Sequence, residues 1–388
     1  MNIVDATEKY EQWLCQALAG EVVSADLKKK RKKMRKGTAF QFLRATYWRW
    51  ADTIAATVGK VADAPDVLAV GDIHLENFGT WRDREGRLVW GVNDYDEAAV
   101  MPYTLDLVRL ATSALLARGK HGDDDAIAAP ILAGYRKGLK NPRPFILDGS
   151  HDECAKIHRW LRKKTVVPEC ERRKFWHDIQ SDLNDLAAEP SHIAPRFQRI
   201  LFAAMPDDAA EPDLWPRSAG LGSLGRPRWA ARSAWRGGWV VREAKAIAPS
   251  AWGRGQNGQG RPIRCMEIAT GRYRSPDPWF RVNNGVSVRR LSPNNRKIEA
   301  ADPQSSNEDE PLERQTVEAD VLLDPRMLAA MGRELAAIHL GTGDVGAAVR
   351  DDCATRQAAD PDWLRVASVH ATDRVTDDWK AYQRSEAR

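Results

Sequence analysis

The residues with the clearest capacity for chemistry lie between Val67 and Leu110, VLAVGDIHLENFGTWRDREGRLVWGVNDYDEAAVMPYTLDLVRL. This stretch sets eight carboxylates, one histidine and two asparagines between apolar runs. Val67–Val70 is a short aliphatic run that stops at Gly71 and Asp72, and Leu88–Val92 is a second that stops at Asn93 and Asp94. Runs of this length and β-branched content predict strands, each delivering an aspartate at its C-terminal end. Asp83–Gly86 carries a turn signal that lets the chain double back and bring the two polar ends towards one point. Two carboxylates, Asn77 and His74 gathered there make a site for a divalent cation and a proton-accepting base.

Positioning such a site takes a scaffold, and 388 residues with 43% hydrophobic and 29% charged side chains supply one of ordinary globular kind, long enough for two lobes. No apolar run approaches the roughly 18 residues of a membrane span, and no leader pattern opens the chain, so no membrane is expected and a cytoplasmic location is the default. Five scattered cysteines make no disulfide framework. A net charge of +5 does not by itself imply nucleic acid. The 15 tryptophans suit core packing better than base stacking, given the area each ring buries.

Residues 1–60 read as helical, with Tyr10, Trp13, Leu14 and Leu18 at helical spacing and a second helix near Thr46–Val58. The run Lys28–Lys36 between them holds eight bases in nine residues. Its preferred reading is a solvated helix face, with phosphate gripping as the rival. Thr104–Lys120 is apolar on most sides and predicts a buried helix, so Asp106 within it needs donors such as backbone amides of a neighbouring loop. Further helices are expected at Asp123–Leu139, about His151–Arg162 and Arg172–Ala187. His151, Cys154, His158, Cys170 and His177 match no usual zinc spacing, and a metal site there is not expected.

Pro206–Pro216 is an acidic loop and a plausible domain boundary, beyond which the pattern turns strand-rich. A hairpin signal stands at Gly237-Gly238, before a strand Trp239–Arg242, and a later strand is expected at Val286–Leu291. Residues 302–313 read as disordered or a surface loop. Asp324 caps a strong amphipathic helix, and two shorter segments finish the chain. Gly220, Gly222 and Gly225 spell G-x-G-x-x-G, but no helix opens at Gly225, which argues against a dinucleotide fingerprint. A glycine-rich hairpin followed by a strand carrying a base is the protein-kinase arrangement for covering ATP phosphates.

GDIHLEN followed by a strand and an aspartate resembles the catalytic segment of aminoglycoside phosphotransferases and choline kinases. That resemblance implies Asp72 as the base that takes a hydroxyl proton, with His74 as a hydrogen-bonding member of its loop. It implies Asn77 and Asp94 as ligands of magnesium on the nucleotide phosphates, Asp96 as a further metal acid, and Asp106 as the brace of the catalytic loop. Gly220, Gly222, Ser223 and Gly225 would cover the phosphates of ATP, with Arg242 where ordinary kinases have lysine and Lys245 displaced by three positions. LAAIH, Leu335–His339, is similar to a helix that precedes the catalytic segment in those enzymes but here follows it, so the order implied is that of a circularly permuted kinase.

More closely, the chain resembles the bacterial family DUF2252, through KMRKGTAFQFLRA, GDIHLENFG, NDYDEA with PYTLDLVRLATS, GLGSLG, REAKAIAPSAW and GRELAAIHLGTGD. The expected fold is therefore α+β and two-lobed. Residues 1–205 form a helical catalytic lobe, 206–315 a small antiparallel β nucleotide lobe, and 316–388 helices that return to the first. The expected activity is ATP- and Mg-dependent phosphoryl transfer to an unidentified small-molecule or protein hydroxyl, with a catalytically weak nucleotide-binding module as the alternative. A metallophosphoesterase is disfavoured because the partner histidine motifs are missing among eight histidines. Nucleic-acid binding through Lys28–Lys36 is the weakest rival, and neither acceptor nor oligomeric state is specified.

Overall fold

The computed structural model describes residues 1–119, 123–149, 155–188, 193–254, 262–299 and 320–385. Four helices open the chain: α1 (Ile3–Ala17), α2 (Ser24–Lys36), α3 (Ala39–Ala45) and α4 (Tyr47–Val58). Within the stretch read as helical, α3 is a separate helix that begins at a capping box in which Thr38 and Gln41 exchange side chain to backbone bonds. The basic run lies inside α2 and is not uniformly solvated, because Leu27, Lys30 and Met34 share its buried face.

Strands β1 (Asp66–Ala69), β2 (Phe78–Arg82), β3 (Leu88–Val92) and β4 (Ala99–Pro102) follow. Asp83 organises the expected turn, its Oδ1 accepting from the backbone of Glu85 (3.0 Å) and Arg87 (2.9 Å). That turn joins β3 to β2, which the sequence reading had not resolved as a strand, with Thr80 opposite Trp90. The two aspartate-bearing strands are not partners, since β1 pairs antiparallel with β4 and β3 with β2 and a short β5 (Phe145–Ile146).

Helix α5 (Tyr103–Arg118) is buried continuously from Tyr103 to Leu115, as an all-round apolar helix must be. Helices α6 (Asp125–Lys140), α7 (Ala155–Thr165), α8 (Glu169–Ala188) and α9 (Pro195–Phe202) come next. The second half of the expected loop Pro206–Pro216 is in fact strand β6 (Asp213–Pro216). It edges a five-stranded antiparallel sheet, ordered β6-β7-β8-β10-β9, with β7 at Arg228–Trp235, β8 at Gly238–Ala246, β9 at Arg281–Asn283 and β10 at Val286–Leu291. The β7–β8 turn places Arg236 and Gly237 at φ +47° and +80°, the left-handed pair that a two-residue hairpin demands. Between β8 and β9, Cys265–Ala269 forms the short helix α10.

Helix α11 (Pro325–His339) starts at Asp324, whose Oδ1 accepts from Arg326 N at 2.8 Å, and it lies along α6. The two backbones nearly touch: a Cβ on Gly134 would fall 1.9 Å from the Ala329 carbonyl oxygen, and one on Gly332 2.1 Å from that of Ile131. The segments that finish the chain are full helices, α12 (Gly346–Ala359) and the 22-residue α13 (Trp363–Arg384), which packs on α2, α4 and α5. The architecture is mixed α+β, with one continuous core running from α1 through the sheet to α13. A small second cluster of Ile179, Trp215, Ala230 and Val241 joins α8 to the sheet. Among the described residues no helix is long and apolar enough to cross a membrane. His151, Cys154 and residues 302–313 lie outside the described residues.

Candidate functional site

Asp72 sits one residue past Gly71, whose φ of +78° turns the chain sharply out of β1. The turn is held from below by Asp106 on α5, which accepts from the backbone N–H groups of Val70 (2.8 Å) and Gly71 (3.0 Å). Asp106 is fully buried, and His339 Nε2 lies 3.1 Å from the same carboxylate, with Tyr135 Oη 2.9 Å from His339 Nδ1. The end of β3 is braced by the same helix α11. Glu334 accepts from Val92 N at 3.3 Å and pairs with buried Arg274, which itself donates to Val92 O at 2.7 Å. One helix from late in the chain thus fixes the loops that carry Asp72 and Asp94.

Asn77 ties those loops to each other. Its Nδ2 donates to the carbonyls of Asp72 and Asp94, each at 3.1 Å, and its Oδ1 accepts from Asp94 N at 3.1 Å. His74 is buried beside Phe40, and its Nδ1 accepts from Glu76 N at 3.2 Å, so the remaining proton belongs on Nε2. Burial and the nearby Arg44, Lys297 and Arg109 hold the imidazole well below its usual range, hence neutral.

Asp72, His74, Asn77, Asp94 and Asp96 line a common cavity with Gly220, Leu221, Gly222 and Ser223 of the β6–β7 connection. A Cβ on Gly222 would come within 3.2 Å of Asp72 Oδ2, so the glycine lets this backbone approach the acid. Gly225 faces elsewhere: its φ is +97° and a Cβ there would strike Leu27 Cδ2 at 2.3 Å. The Ser223 hydroxyl accepts from Arg228 at 2.8 Å. Lys245 on β8 reaches Asp96 Oδ2 at 2.6 Å and Asp94 Oδ1 at 3.7 Å. Arg242 does not reach the cavity. Three positions from Lys245 on an alternating strand, it occupies the opposite face, donates to Ala204 O at 2.9 Å and stacks on Trp279.

Each acid has its own electrostatic setting. Burial raises the Asp72 carboxyl, outweighing an ion pair with buried Arg109. Burial also pushes Asp94 up, but Lys245, Arg289 and Lys297 more than offset this and hold it well below the carboxylate range. The Asp94 side chain is 43% exposed, whereas Asp96 is enclosed by Lys245 and by Arg226 at 3.3 Å. Glu97 is taken up by Arg226 (2.6 Å) and the backbone N–H of Ala251 (2.7 Å). Among the described residues no group of three or more His, Cys, Asp or Glu side chains is arranged to hold a metal ion.

Sequence reasoning overlooked Arg109, Arg226 and Lys297, and weighed Lys30 only as one of the basic run Lys28–Lys36. Lys30 and Arg109 had a signal, each being a base on an otherwise apolar helical face; Arg226 and Lys297 had none. His158 packs on Phe145 while His177 is 84% exposed, so they share no site. The cavity has a volume of about 60 Å³, far below the roughly 300–1,000 Å³ typical of sites for drug-sized ligands.

No curated protein and no solved structure matches the chain. Residues 23–144, which carry Lys30, Arg44 and the acids from Asp72 to Asp106 but neither the glycine turn nor Lys245, are similar to the bacterial family described as "Uncharacterized protein conserved in bacteria (DUF2252)".

Proposed function

We propose that the chain is an ATP- and magnesium-dependent phosphotransferase that modifies a hydroxyl acceptor. In this reading the fold is kinase-like and permuted, with residues 1–205 and 316–388 as the catalytic lobe and 206–315 as the nucleotide lobe. The observation that carries it is convergence: Asp72 and Asp94, on loops braced by α11, share a cavity with a glycine turn, and Lys245 pairs with Asp94 and Asp96 from an antiparallel sheet encoded well downstream.

Asp72 Oδ1 is engaged by Arg109, which leaves Oδ2 towards Gly222. Its raised pKa makes it a stronger base than a free carboxylate. The acceptor hydroxyl gives its proton to Asp72 as its oxygen bonds to the γ-phosphorus, the bond to the β,γ-bridging oxygen breaks, and ADP leaves. Lys245 and the amides of the glycine turn face the phosphates. Asp94, half-exposed and ionised, is a hard oxygen donor of the kind magnesium takes beside substrate phosphates, and Asn77 Oδ1, which accepts from Asp94 N, keeps a second lone pair for the same ion. Asp96 does not fit as a free ligand, because Lys245 and Arg226 both hold its Oδ2. Magnesium, when bound, would neutralise charge developing on the phosphates.

Calorimetry with Mg-ATP on wild type and Asp94→Ala tests binding, and absence of wild-type binding refutes the reading. Asp72→Asn should abolish γ-phosphate transfer and leave Mg-ATP affinity within about twofold, as loss of a base requires. A nucleotide-binding module without turnover is the second reading, favoured by the commitment of Lys245 to Asp96. Mg-ATP binding with no transfer to any component of a metabolite pool selects it.

A further inference from the structure

The acids of the cavity are matched by cations that belong to them. Arg109 pairs with Asp72, Lys245 with Asp96 and Asp94, and Arg226 with Glu97 and Asp96. Two cations on the lining have carboxylate partners as well, Arg44 with Glu76 and Lys297 with Glu299. Lys30 differs. It is 3% exposed and lines the cavity, yet among the described residues it forms no ion pair with a carboxylate. Its Nζ donates to the Gly222 carbonyl at 2.8 Å and stands over the Tyr10 ring at 5.3 Å from the centroid.

An ammonium has three donors and a strong preference for water or an anion, so one carbonyl and a ring are poor compensation for its burial. The cost is visible in its titration, which burial and Arg226 lower to about 8 although Asp72, Glu97 and Glu11 oppose this. A hydrophobic residue at this point of the α2 face, between Leu27 and Met34, would avoid that cost.

We infer that Lys30 is the centre of an anion subsite in this cleft, which takes a phosphate-class dianion against its Nζ beside the Gly220–Ser223 turn, with Arg44 and Lys297 on the same lining. The inference rests on the proposed phosphate chemistry of the cleft and deepens it. The basic run Lys28–Lys36 contributes a single buried lysine to the cavity lining. The anion belongs either to the nucleotide or to a phosphorylated acceptor, and both present the same charge to Lys30.

The test is calorimetric titration of the full chain with inorganic pyrophosphate in EDTA, and separately with Mg-ATP, for wild type, Lys30→Met, Lys30→Gln and Arg242→Ala. Glutamine retains a donor for Gly222 O but not the charge, so it separates anchoring of the turn from binding of an anion. Pyrophosphate affinity should fall at least tenfold in both Lys30 variants and remain within twofold in Arg242→Ala. A parallel fall for Mg-ATP places the anion on the nucleotide; unchanged Mg-ATP affinity places it on the acceptor, and both outcomes support the subsite. Wild-type affinity for pyrophosphate in folded Lys30→Gln, or no pyrophosphate binding by wild type, overturns it. Lys30-dependent pyrophosphate binding without any Mg-ATP binding leaves the subsite standing and removes the phosphotransferase.

Discussion

Replacing Lys30 by methionine should reveal how much stability the chain gives up to keep an ammonium in its cleft. An ordinary lysine titrates near 10.5 and Lys30 at about 8. At 1.36 kcal/mol per pH unit, that difference corresponds to about 3 kcal/mol. The sign follows from proton counts. Below pH 8 the amine is charged in both folded and unfolded chains, and the desolvation cost is fully present. Between pH 8 and 10.5 the unfolded chain holds a proton that the folded chain has released, so wild-type stability rises with pH across that window. Tyr10, raised by burial, does not ionise within most of it.

Methionine has nothing to titrate. The stability of Lys30→Met minus that of wild type should therefore be larger at pH 7 than at pH 10 by about 2–3 kcal/mol. Loss of the bond to Gly222 O costs about 1–2 kcal/mol at either pH and cancels in that comparison. Urea unfolding followed by circular dichroism at the two pH values measures it. Equal differences at pH 7 and pH 10 would show that the ammonium is not desolvated in the native state, and the argument for an anion subsite would lose its energetic premise.

Further perturbations separate brace, packing and cleft. Asp106→Ala orphans the buried N–H groups of Val70 and Gly71 and strips His339 Nε2 of its partner; it should destabilise the fold by about 3 kcal/mol or more in urea melts, and a loss under 1 kcal/mol would contradict the bracing role. Gly134→Ala drives a methyl into the Ala329 carbonyl and should cost several kcal/mol, roughly 3 or more, or prevent folding, whereas Gly149→Ala, with open space around it, should stay within about 0.5 kcal/mol by thermal melt. Lys245→Ala should weaken Mg-ATP binding at least tenfold, while Arg242→Ala should leave binding intact and lower the melting temperature by freeing Trp279 and the Ala204 carbonyl. The reverse pattern in calorimetry would reinstate Arg242.

Local chemistry made some of this molecule legible in its sequence. The β-branched runs ending at Gly71-Asp72 and Asn93-Asp94, the all-round apolar helix carrying Asp106, the Asp324 cap and the hairpin after Trp235 are consequences of period, propensity and turn residues. Each of those features is written within one short stretch of chain, so a linear reading finds it. It also named Asp72, Asp94, Asp96 and the turn from Gly220 to Ser223, which the structure gathers around one cavity. Alternation alone could have demoted Arg242 relative to Lys245, had the register of β8 been known.

The rest required the tertiary structure, because the physical causes act across long separations. Helix α11 braces both acidic loops through His339 and Glu334, and no local pattern pairs those residues with Asp106 or Val92. Strand partners were also undetermined: β1 takes β4, not the equally apolar β3. Charge state was the least visible property of all. Eight bases in nine residues look alike in the sequence, and only burial against Tyr10 and the Gly222 carbonyl distinguishes Lys30 from its neighbours. Residue types determined which chemistry was available to this protein; the decision about which groups meet, and which of them are desolvated, belonged to the fold.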